Sequence, residues 1–271
     1  ALDEELVLES EPLKWIVKGS QMKRFAPLPP RKVVLVPYAV EDDVATLIPP
    51  RRFKEEYPKV WSYLTRNRRA LEARERGRMK GDDWYAYIYP KNLTLFRHRK
   101  LLTADMADRM NFSFDEDGAF HLLGGAAGGY GLLPAKEEYA APLLELLNST
   151  LLEWMLRPPG CSSPFRGGWF SCEARFINLL PIRFPAAKKD MEALGSLATR
   201  AVEAYRKQNA ARSERDASLA ARQIEALESD IDDRVFRLYE VTPEERREVE
   251  KIVKESRAVM SGDEPEGASE D

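Results

Sequence analysis

The chain has 271 residues, of which 44% are apolar and 32% are charged, so it is long enough to bury a core beneath a charged surface. No stretch approaches the roughly 20 apolar residues that a membrane-spanning helix needs, so no membrane partner is expected. The acidic first residues lack the basic segment followed by an apolar segment that is typical of a signal peptide. Cys161 and Cys172 are therefore predicted to be free thiols in the cytoplasm.

The net charge of −3 conceals a strong asymmetry along the chain. Residues 51–80 contain 11 Lys or Arg and 4 Asp or Glu, whereas residues 213–271 contain 9 Lys or Arg and 18 Asp or Glu. A basic block inside an acidic chain indicates a local contact with a polyanion. The alternative is a solvated helix face that is rich in arginine, and charge by itself leaves both open.

In the first third of the chain, residues 32–37 predict a strand that ends at a proline. From Phe53 to about Met79 the pattern becomes helical. The residues that form its packed stripe are Tyr57, Val60, Trp61, Leu64, Arg68 and Leu71. Those on the opposite faces are Arg66, Arg69, Arg74 and Arg76. Two glycines, Gly77 and Gly81, are expected to end the helix.

Residues 83–123 are predicted to be β structure. Trp84–Tyr89 is rich in strand-forming aromatic residues, and Lys100–Thr103 predicts a second short strand. Phe112–Phe114 and Ala119–Leu122 flank Asp115–Gly118, a sequence typical of a hairpin loop. We therefore expect these last two segments to pair with each other.

The rest of the chain is predominantly helical by its pattern. Leu143, Leu147, Leu151 and Trp154 share a helix face, which the prolines at 158 and 159 follow. Residues 188–239 predict long helices, and Thr242 begins a further one as its cap. The predicted fold class is α+β: a mixed, β-rich domain over 1–185, a helical region over 186–258, and a disordered acidic tail over 259–271.

Several catalytic patterns are missing. The glycine run at 124–131 has no following Lys-Ser/Thr and no G-x-G-x-x-G spacing. Neither Pro-Pro pair, at 29–30 or 49–50, has the polar residue before it and the aromatic residue after it that adenine methyltransferases use to hold the target base. Neither cysteine belongs to a C-x-x-C pair, so no metal site is predicted. We expect no catalytic residue in this chain.

A series of short motifs nevertheless follows a familiar order, and it covers the chain from about residue 11 to residue 255. The segments that carry the resemblance are 13–19, 22–25, 57–64, 84–85 with 90–96, 100–102, 128–131 before 146–149, 162–170, 179–182 and 231–239. In this order they resemble the TaqI-like C-terminal specificity domain of adenine-N6 DNA methyltransferases, including type IIG restriction–modification enzymes. The long glycine run and Pro158–Cys161 depart from the family pattern.

The resemblance implies a target-recognition domain that binds double-stranded DNA. Catalysis would belong to a separate methyltransferase domain of the same parent chain, which binds S-adenosylmethionine and is absent here. An endonuclease fused to the parent is compatible with the family. The alternative that the residues leave open is a helical protein-interaction module that docks partner subunits, with only minor DNA contact.

Eleven residues are predicted to contact DNA. Arg166, beside Phe165 and two glycines, suits bidentate bonding to guanine, and its alternative role is to brace the loop. Lys23 and Arg24 suit phosphate contacts, although both are also compatible with solvated charges. Asn92 suits adenine, although Pro-Lys-Asn is also an ordinary turn. The remaining predicted contacts are Lys18, Arg66, Arg69, Arg97, Arg99, Lys100 and Ser163.

Overall fold

The computed structural model describes residues 4–124, 128–158, 160–165 and 168–258. The chain packs as two units, which are described separately below. Unit 1 comprises Ala1–Ile16, Pro30–His98 and Ala119–His121, and unit 2 comprises Val17–Pro29, Arg99–Gly118 and Leu122–Asp271. The predicted α+β class is confirmed, with small sheets and a helical C-terminal region.

In chain order, the strands of the described residues are β1 (Leu13–Val17), β2 (Lys32–Leu35), β3 (Tyr38–Glu41), β4 (Val44–Leu47), β5 (Lys100–Ala104), β6 (Met106–Ala107), β7 (Ser113–Asp115), β8 (Phe120–Leu122), β9 (Gly129–Leu132) and β10 (Phe170–Ser171). The helices are α1 (Pro50–Glu56), α2 (Pro58–Arg66), α3 (Arg68–Glu72), α4 (Arg74–Gly77), α5 (Ala140–Leu147), α6 (Thr150–Leu156), α7 (Ala174–Ile177), α8 (Lys188–Ala210), α9 (Glu214–Leu238) and α10 (Pro243–Ala258).

Unit 1 is built on short antiparallel strands. Strand β1 lies between β2 and β8, and Trp15 of β1 pairs with Val33 of β2. Strands β3 and β4 form a hairpin whose two turn residues, Asp42 and Asp43, have φ values of 48° and 59°. Two consecutive positive φ angles match the twist of a two-residue hairpin, and aspartate tolerates them. The proline-rich start of the chain thus contains a hairpin that the sequence analysis did not identify.

The sheet of unit 2 has β5 at its centre, with β7 and β9 on either side. All five residues of β5 are buried, and its pairing with β7 places Lys100 opposite Asp115. The predicted hairpin between Phe112–Phe114 and Ala119–Leu122 is therefore wrong. Strand β7 pairs with β5, which buries the Lys100–Asp115 ion pair, and β8 joins β1 instead.

The core of unit 2 is shared by segments that are far apart in sequence. It includes Phe112 next to β7, Leu144 of α5, Leu194 of α8 and Ile231 of α9. The predicted long helices between 188 and 239 are confirmed as α8 and α9, and their apolar stripes face this core. The helical region after residue 186 thus packs into one core with residues 99–185. The domain boundary predicted at residue 185 therefore differs from the boundaries between the two units that the packing defines.

Local capping explains where several helices begin. The Ser149 hydroxyl accepts a hydrogen bond from the Leu152 amide at the start of α6, and Ser213 does the same for Asp216 in α9. The predicted cap at Thr242 is confirmed, because its hydroxyl accepts from the Glu245 amide at 3.3 Å. The Glu245 carboxylate in turn accepts from the Thr242 amide at 2.8 Å. Such a reciprocal arrangement satisfies two otherwise unpaired amide donors.

The strand predicted at Trp84–Tyr89 is wrong, because the segment forms turns. Trp84 and Tyr85 are neighbours in sequence, yet both are buried in one cluster, whereas successive residues of a strand point to opposite sides. The Tyr87 amide donates to the Tyr38 hydroxyl at 3.0 Å, and the Tyr87 hydroxyl donates to the Leu35 carbonyl at 2.7 Å. These tertiary bonds replace the hydrogen bonds of a ladder.

The predicted tail at 259–271 lies outside the described residues. Within the described ranges, every helix is either too short or too polar to span a bilayer.

Candidate nucleic-acid interface

The inner side of helices α2 and α3 is anchored by aromatic rings of unit 1. The ring centroids of Phe53 and Trp61 are 5.8 Å apart, and those of Trp61 and Tyr85 are 5.5 Å apart. Trp84 lies against Tyr85 with a centroid distance of 5.3 Å. Edge-to-face and stacked pairs at these distances hold rings in defined orientations. Helices α2 and α3, which carry part of the basic block at residues 51–80, therefore pack against a support of closely packed aromatic rings.

Two arginines of the basic segment belong to this support. The Arg68 guanidinium lies 5.2 Å from the Trp84 ring centroid, and its Nε donates to Glu72 at 2.8 Å. Arg74, predicted on an exposed face, is half-buried and donates to the carbonyls of Leu71, Trp84 and Ala86 at 2.8–3.0 Å. Its guanidinium fixes the turn at 84–86. The prediction that Arg74 lies on an exposed helix face is therefore wrong.

A carboxylate caps the N-terminus of α2. Glu9 accepts hydrogen bonds from the backbone amides of Lys59 and Val60 at 3.1 and 2.9 Å. Desolvation alone would raise the carboxyl pKa, but these two bonds and the nearby Lys59 charge hold the pKa of Glu9 below its ordinary value. The positive end of the helix dipole already has an anion, so this end offers no free site for a phosphate.

The exposed side of the basic segment carries several cations. Arg66 pairs with Glu4 at 2.9 Å, and both side chains remain partly exposed. Arg69 is exposed and makes no salt bridge to any residue that the structure describes. Three further exposed cations have no salt bridge in the described ranges and were not among the predicted DNA contacts, namely Lys59, Arg76 and Lys80, although Arg76 was predicted on an exposed face. Lys59 could have been identified as an exposed cation from the sequence, because it lies on the helix face opposite the apolar stripe.

The other predicted residues of unit 1 lie in a loop. Asn92 is exposed and has a φ of 57°, and its carbonyl accepts from the Leu95 amide at 2.9 Å. Arg97 pairs with Asp43 of the β3–β4 hairpin at 2.5 Å, and both side chains are exposed. Asn92 thus has the turn conformation that was its alternative interpretation, with its amide group accessible.

In unit 2, the adjacent residues Lys23 and Arg24 differ in solvent exposure. Lys23 is exposed, whereas Arg24 is 4% exposed and donates to the backbone carbonyl of Asn148. The Arg24 Nε lies 3.0 Å from a Glu228 carboxylate oxygen. A buried guanidinium with these partners cannot reach a phosphate without breaking the core, so Arg24 is withdrawn as a predicted DNA contact. It is not a solvated charge either.

Arg99 and Lys100 also differ. Arg99 is exposed, pairs with Glu137 and lies 5.3 Å from the ring centroid of Phe114. Lys100 is 2% exposed, and its ammonium is 2.5 Å from Asp115. Desolvation lowers the pKa of Lys100, while Asp115 opposes that effect. Lys100 is therefore also withdrawn, because β5 is the central strand and its side chains face the interior.

The three remaining predicted residues belong to unit 2. Lys18 is half-buried, and its backbone amide donates to the Gln21 side chain at 2.9 Å. Ser163 is half-buried, and its carbonyl accepts from the Ser171 amide at 3.3 Å. Arg166 lies outside the described residues. The predicted site is therefore divided between the units, and α2–α3 carries Arg66 and Arg69 together.

A cavity of about 540 Å³ lies beside the aromatic support. It is lined by Leu47, Pro49, Pro50, Trp61, Arg68, Gly81, Asp82, Asp83, Trp84 and Tyr85. The Arg68 guanidinium covers Trp84, and two carboxylates line the same space. Adjacent negative charges disfavour a phosphate, so this cavity is a poor match for the nucleic-acid backbone.

Among the residues that the structure describes, no group of three or more His, Cys, Asp or Glu is arranged to hold a metal ion. Comparison with models of known protein families and with curated protein sequences finds no match for this chain.

Proposed function

We propose that this chain binds duplex DNA as the target-recognition part of a restriction–modification adenine-N6 methyltransferase. The observation that carries the proposal is a set of exposed cations in unit 1 without salt bridges to described residues. The members of this set are Lys59, Arg69, Arg76 and Lys80. They lie within 22 residues of one another on and after helices whose inner side is firmly packed.

Surface cations without salt bridges are suited to phosphates because no close ion pair has to be broken first, although the charge of Lys59 also acts on the nearby Glu9 carboxylate. Each phosphate that a cation neutralises releases condensed counterions, which favours binding at low salt. The overall charge of −3 does not oppose this, because the carboxylates are concentrated after residue 213. Because salt screens charges that are further apart than a Debye length of about 8–10 Å, the charge close to the contact affects phosphate binding more than the net charge of the chain does.

In the proposed mechanism, this chain supplies binding energy and sequence selection, and chemistry occurs in a separate domain that binds S-adenosylmethionine. The target adenine has to leave the base stack, which costs a few kcal/mol. Contacts to the neighbouring duplex offset that cost. The proposal places the protein in the cytoplasm, where the free thiols Cys161 and Cys172 stay reduced.

Binding is tested by fluorescence anisotropy of the 271-residue chain with a pool of randomised duplexes across a range of salt. We expect binding at low salt, a linear fall of log K with log salt, and enrichment of a short sequence on repeated selection. The double variant Arg76→Ala/Lys80→Ala should reduce the salt slope by about two. The control is Arg51→Ala, whose side chain is 89% exposed and paired with Glu55.

Absence of binding at low salt contradicts the proposal. If the chain instead binds a methyltransferase catalytic domain without DNA, the protein-interaction module is favoured. Deleting residues 186–271 is not a useful test, because Leu194, Ile231 and their neighbours complete the core of unit 2. Point variants on the surface of unit 1 leave that core intact.

A further inference from the structure

The sides of α2 and α3 that face away from the core of unit 1 carry a row of exposed residues. We define the outward face by the exposed residues Lys59, Ser62, Arg66, Arg69, Ala70 and Ala73. Within each helix, steps of three and four residues keep these side chains on the side opposite the inner residues, which are Val60 and Leu64 in α2 and Leu71 in α3. The first two of those inner residues are 0% and 5% exposed.

Helices α2 and α3 are separated at Asn67, whose φ of −96° and ψ of 7° interrupt the helix and which caps the end of α2 and the start of α3. The Asn67 amide donates to the Tyr63 carbonyl at 3.2 Å, and the Leu71 amide donates to the Asn67 carbonyl at 3.0 Å. The Ala73 amide donates to the Arg69 carbonyl at 3.2 Å. At a rise of 1.5 Å per residue, the nine residues of α2 span roughly 14 Å and the five residues of α3 roughly 8 Å. The outward face is therefore formed by two consecutive short helices that are joined at Asn67.

We propose that the outward face enters the major groove of duplex DNA, and that Arg66 and Arg69 contact base edges there. This inference rests on the proposed function and adds the element and the residues that would read the sequence. The major groove is about 12 Å wide and admits an α-helix. The small side chains of Ser62, Ala70 and Ala73 allow the helix backbone to approach the bases closely.

The charge pattern of the helices favours DNA as the occupant. The only carboxylate in Pro58–Glu72 is Glu72, and it pairs with Arg68 over Trp84, away from the outward face. The outward face therefore presents lysine, arginine, serine and alanine to the solvent. An apolar protein partner would bury Lys59, Arg66 and Arg69 without supplying counter-charges to them, which is costly. A polyanion supplies partners for all of them.

The two ends of the outward face are unequal. Glu9 occupies the N-terminus of α2, so an approaching phosphate is repelled there. Arg66 and Arg69 lie towards the other end. A guanidinium can bond guanine O6 and N7 with two parallel donors. Arg69 has no salt bridge in the described ranges, and the exposed Arg66–Glu4 pair is weak enough for Arg66 to exchange Glu4 for another acceptor.

The test compares two variants on the outward face with two controls, using the 271-residue chain and the randomised duplexes. Arg69→Ala should weaken binding to the selected sequence roughly tenfold and make one position of that sequence degenerate. Ala70→Glu should weaken binding to all duplexes by at least tenfold, because it places a carboxylate in the groove. The controls are Arg51→Ala in α1 and Ala221→Glu on the exposed side of α9, expected to stay within about twofold.

The thermal midpoint of each variant shows that the fold is retained. If the wild-type chain binds DNA while Arg69→Ala and Ala70→Glu bind equally tightly and select the same sequence, another surface holds the duplex. The inference then fails while the proposed function stands. A uniform loss for Arg69→Ala with an unchanged selected sequence identifies a phosphate contact and overturns base reading. If the wild-type chain binds no duplex at low salt, both proposals fail.

Discussion

Unit 1 and unit 2 both contain many arginines, and one pair from each unit shows two opposite uses of the same side chain. On the outward face of unit 1, Arg66 is exposed although it pairs with Glu4 and lies 5.8 Å from the Tyr63 ring centroid, and Arg69 is exposed without a salt bridge to a described residue. In unit 2, Arg24 and Arg157 are each about 5% exposed and surrounded by acceptors. The comparison shows that burial, more than residue type, decides whether a cation is available to a ligand.

The centre of the buried network in unit 2 is Glu153. Its carboxylate accepts from the Met110 amide at 3.1 Å, from Arg157 at 2.9–3.0 Å and from Arg257 at 2.7–3.0 Å. Burial alone would raise its pKa, but the hydrogen bonds and charges of Arg257 and Arg157 hold the pKa of Glu153 below its ordinary value. Through Arg257 this carboxylate ties α10 to α6.

The largest effect is expected from Glu153→Ala. The substitution leaves Arg157 buried without its counter-charge, and it frees the Met110 amide and Arg257. Removing one partner of a buried ion pair costs about 3–5 kcal/mol, so the free energy of unfolding should fall by that amount in urea titrations. Glu55→Ala, which breaks the exposed pair with Arg51, is the matched control and should cost less than about 1 kcal/mol. If both variants lost the same free energy of unfolding, the buried ion pair of unit 2 and the exposed ion pair of unit 1 would not differ in their contribution to stability.

A second effect depends on pH and concerns Glu145 of α5. Its side chain is 0% exposed and packs against α8 and α9, with the Ala198 amide at 3.3 Å and Arg234 at 3.6 Å. Burial raises the pKa of Glu145 from 4.5 to about 8, against the opposing effect of Arg234. The folded state thus holds a proton that the unfolded state releases above pH 4.5, so this site lowers stability as pH rises towards 8.

Glu145→Gln removes that ionisation while keeping the shape of the side chain. The variant should be more stable than the wild type by up to about 3 kcal/mol near pH 7, and the difference should shrink below about 1 kcal/mol at pH 5. Urea unfolding of both proteins at several pH values measures it. A difference that is independent of pH would show that Glu145 keeps the same protonation state in the folded and unfolded chains.

The smallest effect on stability is expected at the outward face. Arg69→Ala removes an exposed side chain without a salt bridge in the described ranges, and alanine favours a helix at least as well as arginine does. The free energy of unfolding should change by less than about 0.5 kcal/mol. Arg157→Ala, measured in the same way, should be strongly destabilising. A large loss for Arg69→Ala would mean that the outward face has a structural role.

Local sequence signals were sufficient where a helix has an apolar stripe or a cap of its own. Helices α8 and α9 follow their stripes, and Thr242 begins α10 with the reciprocal bonds expected of Thr and Glu three residues apart. Strand signals were less reliable. Trp84–Tyr89 has strong strand propensity, but the rings of Trp84 and Tyr85 are required together in the aromatic cluster. Strand propensity mainly reflects packing against neighbours, and here the neighbours favour a turn.

The same limit applies to the candidate site. The charge pattern identified the basic segment, and the helical period identified Arg66 and Arg69 as outward. No sequence signal distinguishes Lys23 from Arg24, or Arg99 from Lys100, because each pair is adjacent and alike in charge. Their roles depend on Asn148, Glu228 and Asp115, which lie 15 or more residues away in the chain.

The amino-acid sequence by itself determined the α+β class, the long C-terminal helices and the location of the basic block, because these depend on periodicity and charge within short windows. The tertiary structure decided which strands pair, which cations are buried and which remain accessible. Those outcomes depend on desolvation, and the desolvation of a side chain is set by residues that only folding brings beside it.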